Sequence, residues 1–200
     1  MATKQTGRIN IALVGKMRSG KDTVFKYMEQ ALIKDTNTIP FKHAFGDEVK
    51  EITYRLFPSK NKNRDKLQQV GQKLREIDEN VWIRPVDEKI EYINQQPVDE
   101  LLVNIITDVR QPNEFEYAKN KGYTVKIICD DDVRIKRMEE RGEEINEKLL
   151  KHETESYIDK YETDFVIYNN DDLSLLKAQV ENIIETIMSE NMKRIESGVK

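Results

Sequence analysis

The stretch that most constrains this chain is INIALVGKMRSGKDTVFKYM, residues 9–28. A short apolar run, residues 9–14, leads straight into Gly15. Four residues later comes Gly20-Lys21, and Val24, Tyr27, Met28 and Ala31 then recur at helical spacing. A strand that runs into this spacing and restarts as a helix is the context that confirms a phosphate-binding loop. Backbone N–H groups from Gly15 to Lys21 can curl round a phosphate, and the helix adds its positive end. Gly15 and Gly20 let the backbone approach closely. Lys21 reaches the β- and γ-phosphates as a point charge. The donor-binding residues expected from this stretch are Gly15, Lys16, Met17, Arg18, Ser19, Gly20, Lys21, Asp22 and Thr23. Ser or Thr ordinarily follows the lysine to hold Mg²⁺. Here Asp22 stands in that place, with Thr23 next. A carboxylate is a hard oxygen ligand, so the loop reads as a working variant. Asp22 takes the metal, or alternatively Thr23 does and Asp22 turns towards the acceptor.

The rest of the chain alternates strand-like and helix-like segments. Further short apolar strands are expected at 38–45, 100–107, 123–129 and 164–169. Residues 46–57 and 63–94 are polar and helix-like, and Leu67, Val70, Leu74 and Ile77 mark one face of the second stretch. Pro112 stands where a helix can start and Gly122 where it would stop. Leu173, Leu176, Val180, Ile183, Ile184 and Ile187 form the apolar stripe of a last helix. Five strands separated by helices predict an α/β fold, a three-layer doubly wound parallel sheet in one domain over 9–189. The charged helical segments 46–94 and 131–160 are too large for plain crossovers and are expected to be a substrate cover and a lid. Residues 1–8 and 190–200 read as tails.

Composition excludes more than it assigns. Charged residues make up 35% of the chain, yet the net charge is only −4. That describes a solvated surface without a basic arm for nucleic acid. A single cysteine, Cys129, leaves no disulfide framework and fits a reducing cytosol. It follows TVKII and reads as a buried strand residue. Two histidines and one cysteine make a zinc site a poor fit. No apolar run approaches the ~20 residues of a membrane span. The expectation is a cytoplasmic protein acting on a small molecule.

Four stretches, in order, carry a resemblance: GKMRSGKDT (15–23), HAFGDEVKEI (43–52), IITDVRQPNEFEYAKNKG (105–122) and HETESYIDKYETDFVIYNNDDLSLLKAQV (152–180). Together they resemble the phage-type deoxynucleoside monophosphate kinases, P-loop enzymes in which Asp usually follows the loop lysine. In that family the second stretch more often has the acid directly after alanine. Here it falls at Asp47, with Lys50 beyond.

The resemblance implies transfer of the ATP γ-phosphoryl to a (deoxy)nucleoside monophosphate with Mg²⁺, by a P-loop kinase fold with helical monophosphate-binding and lid insertions. A phosphomevalonate-kinase-like enzyme and a non-catalytic nucleotide switch are the alternatives. Asp108, at a strand end, is expected to act on Mg²⁺ through water, and Arg110 on a substrate phosphate. Arg134, Arg137 and Arg141, three and four apart, are expected on one helix face. Arg137 and Arg141 would offset transition-state charge, with Arg134 stacking on adenine as an alternative. The resemblance makes Gln68, Arg75 and Trp82 part of the monophosphate cover, joined by Asp47 and Lys50. His152 receives no catalytic role. Many such kinases dimerise, so a homodimer is an open option.

Overall fold

The computed structural model describes residues 7–34, 37–58, 63–142, 153–170 and 172–197. In chain order the elements are β1 (Arg8–Gly15), α1 (Lys21–Leu32), β2 (Thr38–His43), α2 (Phe45–Leu56), α3 (Arg64–Ile77), α4 (Ile83–Asn94) and β3 (Leu101–Val109). Then follow α5 (Pro112–Lys121), β4 (Tyr123–Ile128), α6 (Asp131–Glu139), α7 (Glu153–Lys160), β5 (Phe165–Tyr168) and α8 (Leu173–Glu196). The strands form one parallel sheet in the order β2-β3-β1-β4-β5. Ile11 stands opposite Ile105 of β3, and Leu13 opposite Val125 of β4.

A central parallel strand is covered on both faces, so it must be apolar on both. β1 meets that demand by alternation. Ile9, Ile11 and Leu13 enter a core with α1 and α8, while Ala12 and Val14 enter a second core with α2, α4 and α5. The sheet is therefore the middle of three layers, as its strand pattern predicts. No helix among the described residues is long and apolar enough to cross a membrane.

Local chemistry sets the helix ends. Asp172 Oδ1 accepts the Ser174 and Leu175 N–H groups at 2.8 and 3.0 Å and starts α8. At α5, Pro112 occupies the first turn, and Gln111 and Glu114 form a reciprocal capping box. Three expectations need correction. The stretch 63–94 divides into two helices, because Asp78 Oδ1 accepts the Asn80 N–H at 3.0 Å in a side-chain turn that competes with helix. Ile77, expected on the apolar face, ends α3 and is 81% exposed. The tail from residue 190 continues α8 as far as Glu196, since nothing in its sequence breaks the helix.

Candidate active site

β1 delivers its loop to the middle of the sheet. β3 and β2 lie to one side of it, β4 and β5 to the other. Such a reversal of strand order opens a crevice at the carboxyl ends of the strands, where ligands of open α/β sheets gather. The loop is tightly folded. A Cβ on Gly15 would stand 2.6 Å from Ser19 Oγ and 3.0 Å from the Ile127 carbonyl. Gly20 caps α1 at φ 97°, and a Cβ there would lie 2.1 Å from Asn169 Nδ2. Both positions demand glycine, the second for its left-handed backbone as well as for room. Arg18, at φ 63°, is the only non-glycine residue among those described with positive φ. That conformation costs on the order of 1 kcal/mol. The peptide before it is held, because Arg134 Nε donates to the Met17 carbonyl at 2.7 Å.

Lys21 Nζ folds back over the loop and donates to the carbonyls of Gly15 and Lys16 at 2.5 and 2.9 Å. Ser19 Oγ is fully buried and has no hydrogen-bond partner among the described residues. A cradle that a Cβ would fill, a lysine across it and an orphaned hydroxyl within it all fit a polyphosphate.

Two flanks adjoin the loop. On the β3 side, Asp108 caps α2: its Oδ1 accepts the Phe45 N–H at 2.9 Å and its Oδ2 the Gly46 N–H at 2.8 Å. Burial raises the Asp108 pKa, while these two N–H groups, Arg110 and Lys21 pull it down. Next to it, Glu114 Oε2 accepts the backbone N–H groups of Arg110 and Gln111 at 2.9 and 3.0 Å. Its Oε1 receives Arg75 Nη2 at 3.1 Å. Burial also raises the Glu114 pKa. On the β4 side a cavity of about 510 Å³ is lined by Lys16, Lys126, Cys129, Asp130, Asp131 and Asp159 among others. Lys16 Nζ meets Asp159 Oδ2 there at 2.8 Å, tying the loop to α7.

A family model described as "AAA domain", AAA_18, matches residues 11–159, from within β1 to α7. The chain belongs to the AAA_18 family. Solved structures agree on the fold. A gluconokinase from Sinorhizobium meliloti 1021 superimposes with TM-score 0.56 at 15% identity, covering 92% of this chain and 95% of that one. A shikimate kinase from Bacteroides thetaiotaomicron gives 0.51 at 15% identity, over 90% and 98% of the two chains. A dephospho-CoA kinase from Campylobacter jejuni gives 0.51 at 12% identity, over 90% and 97%. At such identities the likeness shows the fold, which is that of the P-loop kinases. No curated protein matches the sequence.

Within this AAA_18 chain the expected site residues fall into three groups. The structure brings Gly15 to Lys21, Asp108, Arg110 and Arg75 together at the carboxyl ends of β1 and β3. A second group lies at the surface. Asp22 has a side chain 83% exposed and pairs with Lys42 at 3.2 Å. Asp47 and Lys50 pair with each other at 2.5 Å, and Gln68 is exposed. Thr23 is half-buried in the first turn of α1.

The third group is placed differently from expectation. Trp82 is 1% exposed, in the core, and its Nε1 donates to the Gly71 carbonyl at 3.1 Å. A large ring with one satisfied N–H serves here to pin α4 to α3. Arg134, expected against adenine, is also 1% exposed; it ties Asp131 to the Met17 carbonyl. Arg137 reaches Asn169 and Cys129 beneath the loop. The three arginines do not share one helix face, because α6 stops at Glu139 and Arg141 lies exposed in the following turn. His152 and the part of the expected lid from 143 to 152 lie outside the described residues.

Sequence reasoning missed Glu114 and Asn169. Glu114 carried a legible signal, a glutamate three residues into a helix that opens with Pro112. Asn169 carried none beyond its place in the stretch 152–180.

Proposed function

We propose that this protein is a kinase that transfers the γ-phosphoryl of ATP to a small phosphate-bearing acceptor, and specifically to a deoxynucleoside monophosphate. The observation that carries this reading is the convergence of Arg75, Arg110 and Glu114 beside the loop. Arg75 comes from the helical insertion and Arg110 follows β3; Glu114 takes the Arg75 guanidinium on one oxygen and the Arg110 backbone N–H on the other, and the Arg110 charge acts on Asp108. A site that only held a nucleotide would have little use for arginines on the β3 side of the loop. A planar guanidinium suits an acceptor phosphate. The solved structures of similar fold are named as kinases for shikimate, gluconate and dephospho-CoA, which supports the broader class.

In this reading the loop N–H groups and Lys21 orient the donor. The two carbonyls that hold Lys21 are neutral acceptors, so an anionic phosphate displaces them readily. Arg141, in the turn after α6, would meet the phosphates as the lid closes and water is excluded. The carboxylates of Asp22 and Asp108 are the hard oxygen donors that fit Mg²⁺. Each Asp108 oxygen accepts one N–H and keeps a lone pair for a metal-bound water. Bound there, Mg²⁺ would neutralise charge on the β- and γ-phosphates.

The test is a coupled ADP-release assay with all common NMPs and dNMPs, and with phosphomevalonate, shikimate, gluconate and dephospho-CoA. A dNMP should stimulate ADP release most. Preference for one of the other acceptors would keep the kinase and overturn the nucleotide. Slow hydrolysis indifferent to every acceptor would leave a nucleotide-binding switch.

A further inference from the structure

The phosphate loop is anchored from beneath by a residue 150 positions away. Asn169 follows β5, and its backbone N–H donates to the Ile128 carbonyl at 2.8 Å, which fixes it to the end of β4. Its side chain is buried, and Nδ2 donates to the Ser19 carbonyl at 2.7 Å. Its oxygens face the other way: Arg137 Nη2 donates to the Asn169 carbonyl at 3.0 Å and to Oδ1 at 3.2 Å. Arg137 Nη1 meets Cys129 Sγ at 3.2 Å, so the guanidinium bridges the ends of β4 and β5. This arrangement settles which end of the carboxamide is which. A guanidinium can only donate, so Oδ1 must face it, and the amide NH₂ is left for the loop.

We infer that Asn169 is a positioning residue that holds the loop in its donor-binding shape, with Arg137 fixing the orientation of its carboxamide. The inference rests on the reading that this loop binds donor phosphates. A trans peptide points its C=O and N–H in opposite directions within its plane. Holding the Ser19 carbonyl down on Asn169 therefore turns the Gly20 N–H away from β5, towards the crevice. Arg134 does the same two residues earlier, since its bond to the Met17 carbonyl turns the Arg18 N–H. The loop thus meets its ligand with amides already aimed, and binding need not supply that order. The fit is close enough that Gly20 admits no side chain above Asn169.

The test compares Asn169→Asp and Asn169→Ala with the wild type by calorimetric titration with MgADP, alongside melting temperature and the acceptor KM. Asn169→Asp keeps size and the bond from Arg137, but sets a carboxylate oxygen against the Ser19 carbonyl. It should weaken MgADP tenfold or more, with the acceptor KM changed less than twofold. Adding Arg137→Met to Asn169→Asp should weaken MgADP less than twofold further, because Arg137 acts through the carboxamide. A residue that only stabilised the fold would lower the melting temperature of either variant and leave the MgADP affinity unchanged, and that result overturns the inference. So does a change confined to the acceptor KM. If the wild type binds MgADP but phosphorylates no acceptor, the kinase reading falls and Asn169 is still judged by the titration. If acceptors are phosphorylated and the variants titrate like the wild type, the inference falls alone.

Discussion

The two halves of the candidate site are built in different ways. The donor half is held by buried bonds between distant elements. Arg134 on α6 and Asn169 after β5 each grip a loop carbonyl, and both are at most 3% exposed. The acceptor half is made largely of exposed side chains, with Asp47 bonded to Lys50 and Gln68 open to water. Among the described residues there, the Arg75–Glu114 pair is anchored in the interior, where the Glu114 side chain is 4% exposed. Ion pairs at the surface contribute ~0–1 kcal/mol and rearrange readily. On the proposed reading, the difference means that the donor would meet a finished cradle, whereas the acceptor would organise its own pocket.

The sharpest way to break this contrast is Lys21→Ala. Lys21 Nζ donates to the carbonyls of Gly15 and Lys16 across the loop and does not enter the apolar core, so the variant should fold normally and lose activity on the order of a hundredfold or more. Loss of the folded circular dichroism spectrum would show that the ammonium is structural. A smaller effect separates Arg141 from Arg137. Arg141→Ala should lower kcat about tenfold with little change in the ATP KM, as for a contact made mainly in the transition state. Arg137→Ala should instead raise the ATP KM, since it acts on the donor cradle. If both variants moved kcat alone, the two arginines would share one role.

Asp22→Ala tests the exposed edge of the donor half. It should raise the Mg²⁺ concentration for half-maximal activity on the order of fivefold, an effect of about 1 kcal/mol. Superimposable Mg²⁺ titrations with a shifted acceptor KM would move Asp22 to the acceptor half.

The smallest effect concerns Glu114, whose buried carboxyl titrates above its ordinary value. A raised folded pKa means that ionisation works against the fold. The contribution of Glu114 to stability is therefore full at low pH and declines as pH rises from about 4.5 through the raised value. Glu114→Gln has no such titration. The melting-temperature advantage of the wild type over Glu114→Gln should shrink by a few degrees between pH 4 and pH 7. A constant difference would mean that Arg75 and the two N–H groups balance burial, and a growing one that they outweigh it.

Much of the molecule was legible in the residues. The alternation of short apolar runs with amphipathic segments determined the parallel three-layer sheet, because a strand covered on both faces has few other compositions available. The Gly15-to-Lys21 spacing determined the phosphate loop, since close backbone approach and a left-handed turn each require glycine at a known place. Residue spacing also placed Asp108 and Arg110 at a strand end. The spacing of Arg134, Arg137 and Arg141 misled, because shared periodicity says which residues align on a helix but not where that helix stops. Only the tertiary structure decided that Arg134 is buried beneath Met17, that Trp82 pins two helices together, and that Asn169 reaches a loop 150 residues away. Those facts depend on strand order: β4 lies beside β1 and β5 beyond it, which brings the ends of both strands beneath the loop. Local sequence sets the period of each element, but which elements become neighbours is set by how the whole chain buries its apolar faces.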